Sequence, residues 1–399
     1  MQVYVARQPI FTGQMAVHGY ELLFRDELAN CFRSNNPDAA SMQVLHDSAF
    51  LFGLDALTGG SKAFIKFTRH TLAHGYGELL PRESLVVELL PEIEADDEVL
   101  ESCRRLKQLG YQLALDDFQP DQTKLLPLVD LAKVDFQQAD DEKLGIPQRF
   151  QREGLEFVAK HVETEEARRL AEAAGYTYYQ GYFFSKPAMM TATRPTGLRA
   201  NYLRILDEVH RPGLDFDRLA ELIEMDVSLV YRVLRYINSA ANGLRNRVTS
   251  VKLALVMLGE DGARKWVPLM LLADMSGEKP SELVRMCATR ARFCETVAVA
   301  AGWEDRAREL FLLGLFSLID ALLNAPMERV LQELPLPREV VSALLGKENR
   351  YRALCQMMVA CEEGEWGVLD QCAASLGVGE EQVAGAYVQA VEWASSALR

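Results

Sequence analysis

The chain has 399 residues, 49% of them hydrophobic, and its 57 acidic side chains against 43 basic ones give a formal net charge of −14. That length suits two domains with separate cores, and the acidic balance excludes general nucleic-acid binding, which needs a basic surface to neutralise phosphates. Seven cysteines without a CxxC pair exclude a secreted disulfide framework, and the longest apolar stretch, Phe311 to Leu323, is too short and too interrupted to cross a bilayer.

The opening residues, Met1 to Arg7, lack the charged start and apolar core of a signal peptide, so the expected location is cytoplasmic. Further on, short runs rich in Val, Leu and Tyr end on polar residues. Leu85-Val86-Val87 runs into Glu88, Leu113-Ala114-Leu115 into Asp116 and Asp117, Lys133 and Asp135 flank Val134, and Gln180 follows Tyr178-Tyr179. Between them Val99, Leu100, Cys103, Leu106 and Leu109 recur at helical spacing before Gly110, a C-terminal cap. Strands alternating with helices predict an α/β first half. In a barrel of that kind the strand ends share one mouth, which makes Glu21, Glu88, Asp116, Asp117, Lys133 and Gln180 candidates for one site. Clustered carboxylates beside a lysine suit phosphodiester hydrolysis: they hold hard divalent cations that activate water, while the ammonium offsets phosphate charge. A lone carboxylate at a strand end is more often a cap or a solvated loop residue. The adjacent pair Asp116 and Asp117 says more, because neighbouring carboxylates repel unless a cation lies between them.

Residues 188–197 are small, polar and turn-forming and read as a linker. Beyond them apolar spacing is helical almost throughout. Leu219, Leu222 and Ile223 make one stripe, and Leu229, Val230, Val233, Leu234 and Ile237 another behind Ser228 as N-cap; Ser250 caps a third helix ending at Gly259. This half is predicted to be all α. Asn238 and Ser239 are either a polar interaction surface or the end of a helix, since both side chains bond readily to local backbone. The arginines at 285, 290 and 292 read as a solvated face, and Cys287 and Cys294 as core.

The motifs Gln8-Pro9-Ile10, Tyr20-Glu21-Leu22-Leu23-Phe24-Arg25, Leu115-Asp116-Asp117-Phe118, Lys133-Val134-Asp135, Val162-Glu163-Thr164 and Gln180-Gly181-Tyr182-Phe183-Phe184-Ser185-Lys186-Pro187 together resemble the EAL domain. The resemblance implies a modified TIM-like (β/α)8 barrel that binds cyclic di-GMP and, when complete, linearises it with Mg²⁺ or Mn²⁺. It implies Glu21, Glu88, Asp116 and Asp117 as metal ligands, Lys133 beside the attacking water, and Gln8, Arg25, Asp117 and Gln180 against the substrate. Leu219-Ala220-Glu221-Leu222-Ile223, the stretch from Leu234 to Ala240, and Ser250 to Gly259 are similar to the HDOD domain, a helical relative of metal-dependent hydrolases. No histidine follows His210, so metal hydrolysis by that half is not expected. The implied organisation is an EAL-like barrel over 1–190, a linker over 191–199 and an HDOD domain over 200–399.

Two departures are specific. Lys66 stands where the family has an asparagine metal ligand, and Lys160 replaces the catalytic glutamate two positions before Val162. An ammonium about 4 Å from a divalent cation is repelled by roughly 8 kcal/mol at an effective dielectric near 20. We therefore expect Lys66 and Lys160 to pair with Glu21, Glu88 and Asp116, leaving a catalytically degenerate site with no metal cofactor. The functional expectation is a signalling protein whose barrel is a cyclic di-GMP receptor or a docking module and whose HDOD domain binds a signalling protein, with homodimerisation open. The alternatives are an active phosphodiesterase using Mg²⁺ or Mn²⁺, and a scaffold that binds no nucleotide.

Overall fold

In the computed structural model, which describes residues 4–25, 54–137, 140–183, 200–238, 248–275 and 281–398, the first half closes into a barrel. Its strands run in sequence order: β1 Tyr4–Thr12, β2 Val17–Arg25, β3 Lys62–Phe67, β4 Leu85–Leu89, β5 Gln112–Leu115, β6 Leu131–Asp135, β7 Glu156–Lys160 and β8 Tyr178–Gln180. From β2 to β8 neighbours are parallel, but β1 is antiparallel to both β2 and β8. The connection explains the reversal. Only residues 13–16 join β1 to β2, enough for a hairpin and far short of a parallel crossover. Met15 enters the left-handed region at φ 62° and donates its N–H to the Thr12 carbonyl to close the turn.

Between strands, helices cover the barrel. Asp97–Gln108 starts at Asp96, whose side chain accepts from the Val99 N–H, and buries Val99, Cys103 and Leu106. It ends as its sequence indicates: Gly110, at φ 89°, lets the Tyr111 N–H reach the Leu106 carbonyl. With both faces covered, β4 is buried along its whole length, which is why it reads as an apolar run without alternation.

The later helices include Ala200–His210, Phe216–Glu224, Val227–Ile237, Val251–Met275, Ser281–Ala300 and Ala307–Leu315. Ser250 caps as expected, its hydroxyl accepting from the Leu253 N–H, and Gly259 at φ 70° breaks the helix over 251–275 where the sequence puts a stop. Ser228 lies inside the helix rather than at its N-cap position: the helix already begins at Val227, and the Asp226 carbonyl accepts the first helical N–H, from Val230. Arg290 is no solvated residue. It is 6% exposed and bonds the Ser317 hydroxyl, because Gly314 lets the helix Ala307–Leu315 close on its backbone, where a Cβ would lie 2.3 Å from the Arg290 carbonyl oxygen.

The chain groups into two compact units, Met1–Lys186 with Gln356–Glu392, and Pro187–Cys355 with Trp393–Arg399. Residues 356–392 thus belong with the barrel, whereas the sequence reading assigns them to the helical domain over 200–399. One tie within the barrel's unit is the Tyr182 hydroxyl, which donates to the Glu362 carbonyl at 2.9 Å. The expected linker 191–199 lies outside the described residues. No described helix is long and apolar enough to cross a membrane.

Candidate functional site: a lysine and carboxylate cluster at the barrel mouth

Inside the barrel, Ile10, Phe64, Val86, Ala114, Leu131 and Val158 form one buried layer, with Tyr178 packed against it. Side chains alternate along a strand, so the residue two further on faces the same interior one step nearer the mouth. From those positions the rule gives Lys66, Glu88, Asp116, Lys133, Lys160 and Gln180, and on antiparallel β1 it gives Gln8, two residues earlier. Glu21, paired with Gln8 in register, completes the ring. An apolar floor therefore carries a polar layer drawn from seven strands and, at Asp116, from the residue just after β5.

That layer is bound together by its charges. Lys66 Nζ lies 3.1 Å from Glu21 Oε1 and 3.0 Å from Asp116 Oδ2. Lys133 Nζ lies 2.6 Å from Glu21 Oε2, bonds Glu88 Oε1, and stands 4.0 Å from Asp116. Lys160 bonds Asp116 Oδ1 and reaches Asp117 Oδ1 at 2.7 Å. The Gln180 amide donates to Glu21 Oε2 at 2.7 Å and to Gln8 Oε1 at 3.0 Å. Glu88 Oε2 and Gln180 Oε1 are buried without a hydrogen-bond partner. Lys66 and Lys160 pair with Glu21 and Asp116 as expected, with two differences: Glu88 bonds Lys133, and Asp117 joins as a partner of Lys160.

The electrostatics follow from burial against pairing. Burial alone would raise the Glu21 carboxyl, but Lys133, Lys66 and Lys160 outweigh it and hold it well below the usual range. Asp116 likewise sits low, since Lys133 and Lys66 overcome its burial. Glu88 goes the other way: burial, reinforced by Glu21, pushes it up to about 8 despite Lys133. Burial would lower the Lys66 and Lys133 ammonium groups, yet Glu21, Glu88 and Asp116 raise both.

Backbone geometry at the mouth is specialised. Asp117 and His161 take positive φ, 42° and 55°. Gly181 sits so close to Val162 that a Cβ would lie 2.1 Å from its carbonyl oxygen, and this approach lets the Val162 N–H bond the Gln180 carbonyl at 2.9 Å. Thr164 caps the next helix through the Ala167 N–H. Sequence reading missed the His161 imidazole, which shares a hydrogen bond of 2.9 Å with Asp135 beside the cluster; only its place after Lys160 could have flagged it. Arg25 ends β2, but its side chain lies outside the described residues, as does Ser239. Asn238 is no free polar surface: its amide donates to the Leu234 and Val248 carbonyls and accepts from the Val248 N–H, each at 2.7 Å.

Comparison with known proteins fits this layout. Residues 197–334 match the HDOD domain model, well past Gly259, where the motifs end. Cyclic di-GMP phosphodiesterase CdgJ of Vibrio cholerae is 33% identical over 405 residues, 99% of this chain and 93% of that protein. The chain belongs to the EAL-HDOD family. Another relative with full-length similarity to this EAL-HDOD chain is the uncharacterized protein YuxH of Bacillus subtilis, 32% identical over 404 residues and 98% of each chain. Among solved structures, an EAL domain protein from Listeria monocytogenes aligns with 46% of the chain and 87% of its own length, at 20% identity and a TM-score of 0.37.

Proposed function

We propose that this EAL-HDOD chain is a cytoplasmic cyclic di-GMP signalling protein whose barrel recognises the dinucleotide without cleaving it, and whose HDOD domain contacts a protein partner. The observation that carries this reading is the Lys66 ammonium set between Glu21 Oε1 and Asp116 Oδ2. Glu21, Glu88 and Asp116 offer oxygens within 4.8 Å of one another, an arrangement that could hold a divalent cation. The fit fails on charge. Lys66 and Lys133 already occupy both oxygens of Glu21, and Lys66 and Lys160 bond the two oxygens of Asp116. A divalent ion placed among them would meet several ammonium groups at contact distance, in a setting too buried for solvent to screen the repulsion. The reading therefore has no Mg²⁺ or Mn²⁺ cofactor and no activated water.

A second reading, an active metal-dependent phosphodiesterase, is favoured by the full-length similarity to CdgJ. Calorimetric titration of the full chain with cyclic di-GMP, in EDTA and in Mn²⁺, with linear product assayed in the same samples, separates the two. Binding in EDTA with no product in Mn²⁺ supports the receptor. Metal-dependent product means that the lysines move aside.

A further inference from the structure

The charged side chains at the mouth form a gradient of exposure. Lys133 is 0% exposed, Lys160 7%, Lys66 22% and Asp117 42%. Asp116 and Glu21 are 2% and 3% exposed, so among the described carboxylates of the cluster Asp117 alone faces solvent substantially. Lys160 divides its donors between the buried Asp116 and the exposed Asp117, while Lys66 flanks the other oxygen of the same Asp116. Two ammonium groups thus straddle one buried carboxylate, and one of them also bonds the more exposed carboxylate of Asp117.

We infer that Lys160 and Lys66 form a receiving site for a phosphodiester anion, and that Asp117 is an internal competitor which the anion displaces from Lys160. The inference rests on the metal-free reading above and deepens it. The exchange is neutral: one singly charged anion leaves the ammonium and another takes its place. Asp117, the exposed partner, moves into water, where a carboxylate is well solvated, and the incoming anion keeps the buried Lys160 ammonium paired. Asp116 cannot make that move, because uncovering a buried carboxylate without its partner costs several kcal/mol. A phosphodiester carries two unesterified oxygens, so one can take the donor freed by Asp117 while the other meets Lys66.

The test uses the full chain in EDTA, titrated with cyclic di-GMP and separately with inorganic phosphate, for wild type, Asp117→Asn, Lys160→Gln and Lys160→Arg. Asparagine tolerates the positive φ at this position, and melting curves confirm that each variant is folded. Asp117→Asn is expected to bind both anions about tenfold more tightly, Lys160→Gln at least tenfold more weakly, and Lys160→Arg to retain most of the affinity. Equal or weaker binding by Asp117→Asn overturns the inference, and if wild type still binds the dinucleotide the receptor reading survives alone. Should phosphate follow the expected order while cyclic di-GMP fails to bind, the anion site stands and the receptor reading falls. Binding of neither anion by any variant rejects both.

Discussion

Lys66 and Lys133 divide the Glu21 carboxylate between them, one on Oε1 at 3.1 Å and the other on Oε2 at 2.6 Å. The two are not equivalent, because Lys133 is fully buried whereas Lys66 is partly exposed.

Removing the buried member should therefore damage the fold. Lys133→Met leaves Glu21 and Glu88 facing each other without their shared cation, and stranding a buried charge costs about 3–5 kcal/mol. Urea unfolding of the variant measures this. A loss below about 1 kcal/mol would mean that Lys133 is not the cation holding the layer together.

The metal-free reading makes a reciprocal prediction. Lys66→Asn combined with Lys160→Glu removes two positive charges and adds a carboxylate, so the double variant should bind Mn²⁺ while wild type does not. Electron paramagnetic resonance of free Mn²⁺ reads the difference directly. Silence from the double variant would show that the two positions are misassigned.

The carboxylates set opposite pH dependences. Glu21 and Asp116 are held below their ordinary values of 4.5 and 3.8, so their stabilisation is present above those values and is lost as pH falls below them. Glu88 is raised from 4.5 to about 8, so its contribution is complete below 4.5 and declines as pH rises through about 8. One proton limits that decline to about 1.4 kcal/mol per pH unit. Unfolding free energies across this range should fall with pH for wild type more steeply than for Glu88→Gln. Parallel curves would place the proton elsewhere.

Gly181 has no room for a side chain. Its φ of 148° and the 2.1 Å approach to Val162 predict that Gly181→Ala destabilises the barrel by about 2 kcal/mol or more. Denaturant midpoints with unchanged m-values would confirm a local effect of that size.

Asn238→Ala removes three hydrogen bonds to backbone groups flanking residues 239–247, at a cost of about 1–3 kcal/mol. Amide exchange should quicken at Val248, whose N–H loses its acceptor. Unchanged protection there would contradict a bridging role.

Much of the site was legible because strand periodicity is rigid. Glu88, Asp116, Lys133 and Gln180 stand at the ends of apolar runs, whereas Lys66 and Lys160 were placed by the family resemblance, and the structure shows the same offset of two residues lifting Phe64 to Lys66 and Val158 to Lys160. The partnership of Lys160 with Asp117 was not legible, since it depends on the left-handed turn at Asp117. Nor was the upward shift of Glu88, which comes from burial and the approach of Glu21 across the barrel. The reversed β1 could be deduced from the four-residue connection 13–16 only once both strands were placed. Arg290 misled because charge alone suggests solvent, while Gly314, far along the chain, decides its burial.

The grouping of residues 356–392 with the barrel has a consequence for biosynthesis. A ribosome makes the strands first but delivers the helices that join their unit only after the whole of 187–355 has emerged. Domains usually mature in the order of their synthesis. Here the earlier one has to wait, so a nascent chain stalled at residue 355 should carry a barrel more open to protease than the finished protein, even though every strand is already outside the exit tunnel.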